Sequence, residues 1–223
     1  GYSVMATTIY PDQDGVVFKF AAGTWANVRN ASSGALSTIA SYYIQNSHTS
    51  GRGGNVHQIG RYFLEFDTSA INKTISSATL SLYGYSLGTL DVILMKSSQS
   101  GVVATSDFNE VYGAALHFAV SDGSGTGRLA GSPSAVDYSS EITTWSTSGY
   151  NEIALSDDAK ADIIANDTFN CVLIGYDYDY LDLAPSEAWY RVGFRQSTYS
   201  GTSSDPKLVI TEQDNSVFFG TNF

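Results

Sequence analysis

Short apolar runs separated by Gly-, Ser- and Thr-rich spacers predict an all-β chain: an antiparallel β-sandwich of jelly-roll type with one short helix. Three observations carry this. Thr79-Leu80-Ser81-Leu82-Tyr83 alternates with period 2, which a helix would scramble. Just before it, Tyr62, Leu64 and Phe66 share one face of a strand, while Arg61, Phe63 and Glu65 share the other. Only 15% of residues are charged, while Gly (21) and Tyr (15) are abundant, a balance unlike that of helical chains.

The elements follow in order. Tyr10 to Phe20 holds a strand with a turn expected at Asp12-Gln13-Asp14-Gly15. Ser41 to Gln45 is a further strand, and Ser50-Gly51-Arg52-Gly53-Gly54-Asn55 a loop. The Tyr62–Phe66 strand stops at Asp67-Thr68-Ser69, whose side chains can bond nearby backbone. Leu90 to Met95 reads as a more buried strand, and 121–134, rich in glycine, as a long loop. Asn151 to Leu155 is a strand leading into the helix. There Ser156 or Asp157 caps, Asp158 sits in the first turn, Ala159, Ile163 and Ile164 form the apolar stripe, and the end falls near Asn166. Cys171 to Tyr176, Trp189 to Arg195 and Lys207 to Glu212 complete the strands. Nothing marks a linker or an internal repeat, so 1–223 is expected to be one domain, with its core at about 6–212 and 213–223 as a C-terminal extension.

Twenty-two acidic against 11 basic residues give a formal net charge of −11. That balance repels nucleic-acid phosphates and anionic membrane surfaces. It suits divalent cations and neutral sugars. No apolar run approaches the roughly 18 residues of a membrane span, so no membrane insertion is expected. Cys171 is the single cysteine; it lies in an apolar run and reads as a core residue. Met5 reads either as a native start behind an added Gly1 to Val4, or as part of a mature chain whose leader was removed. The tail carries Val217, Phe218, Phe219 and Phe223, apolar residues suited to a neighbouring chain or to folding back on the sandwich.

Taken together, Phe66-Asp67-Thr68-Ser69, then Ala78-Thr79-Leu80-Ser81-Leu82-Tyr83, and finally Pro206-Lys207-Leu208-Val209-Ile210-Thr211 resemble the DNRLRE-type jelly-roll domains. Thr105-Ser106-Asp107-Phe108 and Ser148-Gly149-Tyr150-Asn151 resemble a subgroup of environmental and phage-linked sequences. The matches span about Ala6 to Thr211. The resemblance implies a non-catalytic jelly roll of cell surfaces, virions or polysaccharide-degrading enzymes, some relatives of which bind acidic polysaccharide. The expectation is a non-enzymatic surface structural or adhesion protein, virion-surface or extracellular. Its partners would be copies of itself or neighbouring surface proteins, with weak glycan binding. The alternative is a carbohydrate-binding module of a polysaccharide-degrading system.

Catalytic patterns are poorly represented. His48 and His57 flank a glycine loop without the i, i+4 spacing of a zinc helix, and no Gly-x-Ser-x-Gly elbow occurs. Gly123-Ser124-Gly125-Thr126-Gly127 does not lead into a helix, as a phosphate loop would. No cofactor is required, and a structural calcium is the candidate ion. Its ligands would come from Asp177, Asp179 and Asp182, with Asp12 and Asp14 as a second group, because calcium takes six to eight oxygens. If 177–180 is extended, Asp177 and Asp179 share a side opposite Tyr176, Tyr178 and Tyr180. For glycan binding the candidates are Tyr178, Tyr180 and Trp189 as flat rings and Arg191 and Arg195 as carboxylate forks.

Overall fold

The computed structural model describes residues 4–186 and 188–213. It is an antiparallel β-sandwich. The strands are β1 (Val4–Ile9), β2 (Gln13–Ala22), β3 (Ala35–Ser37), β4 (Ser41–Thr49), β5 (Val56–Asp67), β6 (Ile75–Gly88), β7 (Val92–Lys96), β8 (Tyr150–Ala154), β9 (Thr168–Gly175), β10 (Trp189–Arg195) and β11 (Lys207–Gln213). One layer runs β1–β11–β6–β8 and the other β3–β2–β5–β9–β7. β4 and β10 join them, because β4 pairs with β5 at one end and with β10 along its length, and β10 pairs with β6. The apolar tail at 217–223 and the start at Gly1 to Ser3 lie outside the described residues.

The main core lies between the layers, where the alternating residues meet. Tyr62, Leu64 and Phe66 of β5 face Leu80 and Leu82 of β6, with Leu208 and Ile210 of β11 and Cys171 and Leu173 of β9. Each large apolar side chain so buried contributes about 1.5–3 kcal/mol. Burial drives the Cys171 thiol far above its ordinary range, so it is an inert core residue, as its apolar neighbours predict. At Gly60 of β5 the backbone of Ile44 comes so close that a Cβ would lie 3.1 Å from its Cα.

A second core covers the outer face of β2, β5, β7 and β9. Phe63, Val17, Val172 and Ile93 pack there against α1 (Trp25–Arg29), a 3₁₀ turn at Thr105–Asn109 and α2 (Ala115–Ala119). Helix α1 is short because only Trp25, Val28 and Arg29, spaced i, i+3, i+4, are buried, and Thr24 caps it. The third helix, α3 (Asp157–Ala165), is the expected one: Ser156 accepts from the Ala159 amide at 3.2 Å and Asn166 follows its end. Its buried stripe is Ala159 and Ile163; Ile164 points to solvent.

Two local expectations are corrected. Residues 13–15 are already strand β2, so the chain turns before Gln13 rather than across Asp12–Gly15. Tyr176–Tyr180 is one π-helical turn, not an extended alternating segment; the Leu181 amide donates to the Tyr176 carbonyl at 2.9 Å. The turn stacks Tyr176 on Tyr180 and sends Asp179 inward. Asp67 ends β5 as expected, accepting from the Ser69 amide at 2.9 Å and hydroxyl at 2.6 Å.

Candidate functional site

β10 carries an exposed tryptophan and two half-buried arginines on one face. Its period of 2 sends Tyr190, Val192 and Phe194 inward or sideways and Trp189, Arg191 and Arg195 outward. Trp189 is 58% exposed. The Arg191 guanidinium lies between two rings, 4.4 Å from the Trp189 centroid and 5.0 Å from that of Tyr43 on β4. Arg195 repeats the arrangement, 4.2 Å from Tyr85 of β6 and 3.9 Å from Tyr199. Both are cation–π contacts, which occupy the faces of the guanidinium; Arg195 Nε is buried and unbonded among the described residues.

The backbone explains how Tyr85 reaches this face. The β10–β6 register shifts between Val192 and Phe194, and Ser86 sits at φ 62°. Such a bulge re-aims the side chains beside it. Gly193 lies against it, and a Cβ there would fall 1.9 Å from the Tyr85 carbonyl oxygen. Next to Arg191, Gln45 accepts from its Nε. The Gln45 amide donates to Ser47 Oγ at 2.7 Å and Gln58 Oε1 at 3.0 Å, a polar strip running from β10 to β5. Arg195 Nη1 donates to Ser41 Oγ. Neither arginine enters an ion pair with a described residue. A hollow of about 400 Å³ lined by His48, Thr49, Ser50, Ala188 and Trp189 continues the face at one end.

The predicted glycan residues therefore divide. Trp189, Arg191 and Arg195 stay together and gain Tyr43, Tyr85 and Tyr199. Tyr178 packs against Tyr190 with centroids 4.7 Å apart, away from the outward side chains. Tyr180 is buried, its hydroxyl donating to Asp137 at 2.7 Å, so it is no sugar platform. Tyr43 and Tyr85 were not legible as partners because strand register and a bulge bring them in.

The predicted calcium residues are scattered. Asp14 is buried and accepts from the Tyr62 hydroxyl at 2.5 Å and the Ser197 amide at 3.0 Å. Asp12 is exposed, and Asp177 is half-buried beside Asp91 and Glu141. Asp179 and Asp182 belong to a buried ionic cluster with Arg29 and Arg61. Asp179 accepts from Arg61 Nε at 2.6 Å and Nη2 at 2.9 Å, and from Arg29 Nε at 3.3 Å. Asp182 lies 3.4 Å from Arg29 Nη1 and accepts from Ser121 Oγ at 2.5 Å and the Gly127 amide at 2.8 Å. Phe108 and Phe118 flank the guanidinium groups at 4.3–4.7 Å. All four charged side chains are 0% exposed. Burial lowers the Arg29 pKa, and Asp179 and Asp182 oppose that. These carboxylates are bonded by the protein itself. Among the described residues no group of three or more His, Cys, Asp or Glu is arranged for a metal.

Fold and face together define an all-β sandwich with an aromatic- and arginine-lined outer surface. The chain matches no protein-family model and no curated protein.

Proposed function

We propose that this is a non-enzymatic structural and adhesion protein of a virion or cell surface, DNRLRE-like, whose Trp189–Arg191–Arg195 face holds acidic polysaccharide weakly. The observation that carries the reading is the pair of ring-flanked guanidinium groups. Their faces are held by aromatic rings, while the edges of Arg191 Nη1 and Nη2 have no acceptor among the described residues. A uronate carboxylate fits such an edge bidentately, and Trp189 offers a flat apolar surface to the C–H side of a sugar ring. The net charge of −11 opposes acidic polymers at long range, so their selection over neutral ones rests on these two guanidinium groups at contact distance. Strand β1, which pairs only with β11 among the described residues, supports assembly with other copies by strand addition.

The alternative, a carbohydrate-binding module of a polysaccharide-degrading system, uses the same face and differs in affinity and in assembly. Calorimetric titration with alginate, pectin and a neutral glucan tests the site. Binding is expected for the acidic polymers, weakening with salt. Arg191→Gln removes one charge-assisted contact worth about 1.5–3 kcal/mol, roughly a tenfold to hundredfold loss. Trp189→Ala has a comparable effect. Acidic polymers that fail to bind, or bind both variants as well as the parent, refute the site. Micromolar binding by a strict monomer favours the alternative.

A further inference from the structure

A second group of polar side chains lies apart from the arginines, at the end of the sheet where β4 pairs with β5. His48 and His57 are directly opposite in register, and their ring centroids are 4.5 Å apart with planes 19° from parallel. Trp25 of α1 meets His57 edge-on at 5.7 Å. His57, Trp25 and Asn46 are all buried, and His48 is half-buried. His48 Nε2, His57 Nδ1, Trp25 Nε1 and both polar atoms of the Asn46 amide have no hydrogen-bond partner among the described residues. Buried polar atoms are nearly always bonded, and a local concentration of orphans marks a place where a water, an ion or a ligand belongs.

The chemistry of the orphans narrows the choice. One unbonded ring nitrogen on each of two adjacent imidazoles is a donor set, once unprotonated, for zinc, nickel or copper, not for calcium or magnesium. We infer that His48 and His57 form a two-histidine site for a divalent transition ion. The ion would take His48 Nε2 and His57 Nδ1, each at about 2.0–2.1 Å, after the rings fan outward at their edges. Water would fill the other positions. Asn46 lies two residues from His48 on the same face of β4, so its amide is placed to bond that water. The hollow lined by His48 and Trp189 supplies a way in from solvent.

Trp25 makes the test direct. Chelator-treated protein is titrated with NiCl2, CuCl2 and ZnCl2, following tryptophan fluorescence and thermal melting. Nickel and copper are expected to quench saturably at one ion per chain in the micromolar range. Zinc should displace nickel and reverse its quenching, and each ion should raise the melting temperature. His57→Gln and His48→Gln each weaken binding at least tenfold; His48, being half-buried, gives the decisive variant if His57→Gln fails to fold by circular dichroism. Trp25→Phe loses much of the quench but keeps the metal-dependent melting shift. Absence of saturable quenching below 1 mM (about three decades above expectation), or quenching unchanged in the folded histidine variants, overturns the site.

Discussion

Replacing Asp179 by alanine removes the single carboxylate shared by two fully buried guanidinium groups. Arg61 then loses bonds at 2.6 and 2.9 Å, and Arg29 loses one at 3.3 Å. Arg29 retains Asp182 at 3.4 Å, but among the described residues Arg61 has no other carboxylate and keeps the carbonyls of Phe108 and Arg29 and its two phenyl neighbours. Leaving one charge of a buried pair uncompensated costs about 3–5 kcal/mol. For a chain of this length each kcal/mol moves the melting temperature by about 2–4 °C, so a fall of roughly 6–20 °C is expected by calorimetry. Asp179→Asn, which keeps the shape and one acceptor, should fall less. The same Asp179→Ala change in an Arg61→Met background should also cost less, with a coupling of about 0.5–3 kcal/mol between the two sites. A fall of less than about 4 °C for Asp179→Ala, or strict additivity with Arg61→Met, would refute the view that this carboxylate neutralises the cluster.

Three smaller perturbations follow from equally local geometry. Ser156→Ala removes the α3 cap and should cost about 1 kcal/mol in urea unfolding, with the m-value unchanged. Gly193→Ala puts a methyl where the Tyr85 carbonyl lies. It should destabilise by about 1–3 kcal/mol and weaken acidic-glycan binding through displaced Tyr85 and Arg195, which paired unfolding and binding measurements on the variant will show. Asp205 is buried with Oδ1 unbonded, and burial, followed by Asp14, raises its pKa. That group costs nothing while protonated in both states and becomes destabilising as pH rises from its unfolded value through its folded one. Asp205→Asn should therefore raise stability at pH 7 and lose that advantage near pH 3–4, read from melting curves across pH.

Period-2 alternation made the sandwich legible, because it reports which face of a strand meets a core whatever the pairing. It put Leu80 with Leu82 on one strand face and Tyr62, Leu64 and Phe66 on another, faces that the structure joins in one core, and it set Trp189, Arg191 and Arg195 on one side. It misread Tyr176–Tyr180 because an Asp-Tyr alternation looks extended, whereas the inward pull on Asp179 comes from Arg29 and Arg61, 150 and 118 residues away. Helix α1 left a faint trace in Trp25, Val28 and Arg29 behind the cap Thr24, too short for a confident period. Phe63 beside Arg61 was the other sign that the second face of β5 is covered. His48 and His57 are nine residues apart and share no helical spacing; only the hairpin register brings their rings together.

The proposed binding face gains from being built on strands rather than loops. A free arginine loses up to about 2 kcal/mol of side-chain entropy on being fixed by a ligand. Here that loss falls largely on the folding of the chain itself, because Tyr43 and Trp189 hold Arg191 and Gln45 fixes its Nε, while Tyr85, Tyr199 and Ser41 hold Arg195. A polymer laid along β10 therefore meets two preset guanidinium edges four residues apart, about 13 Å along the strand. Each contact alone is weak in water. A repeating acidic chain can engage both at once and re-engage after partial release, which is how the proposed face would retain a polymer without a deep pocket.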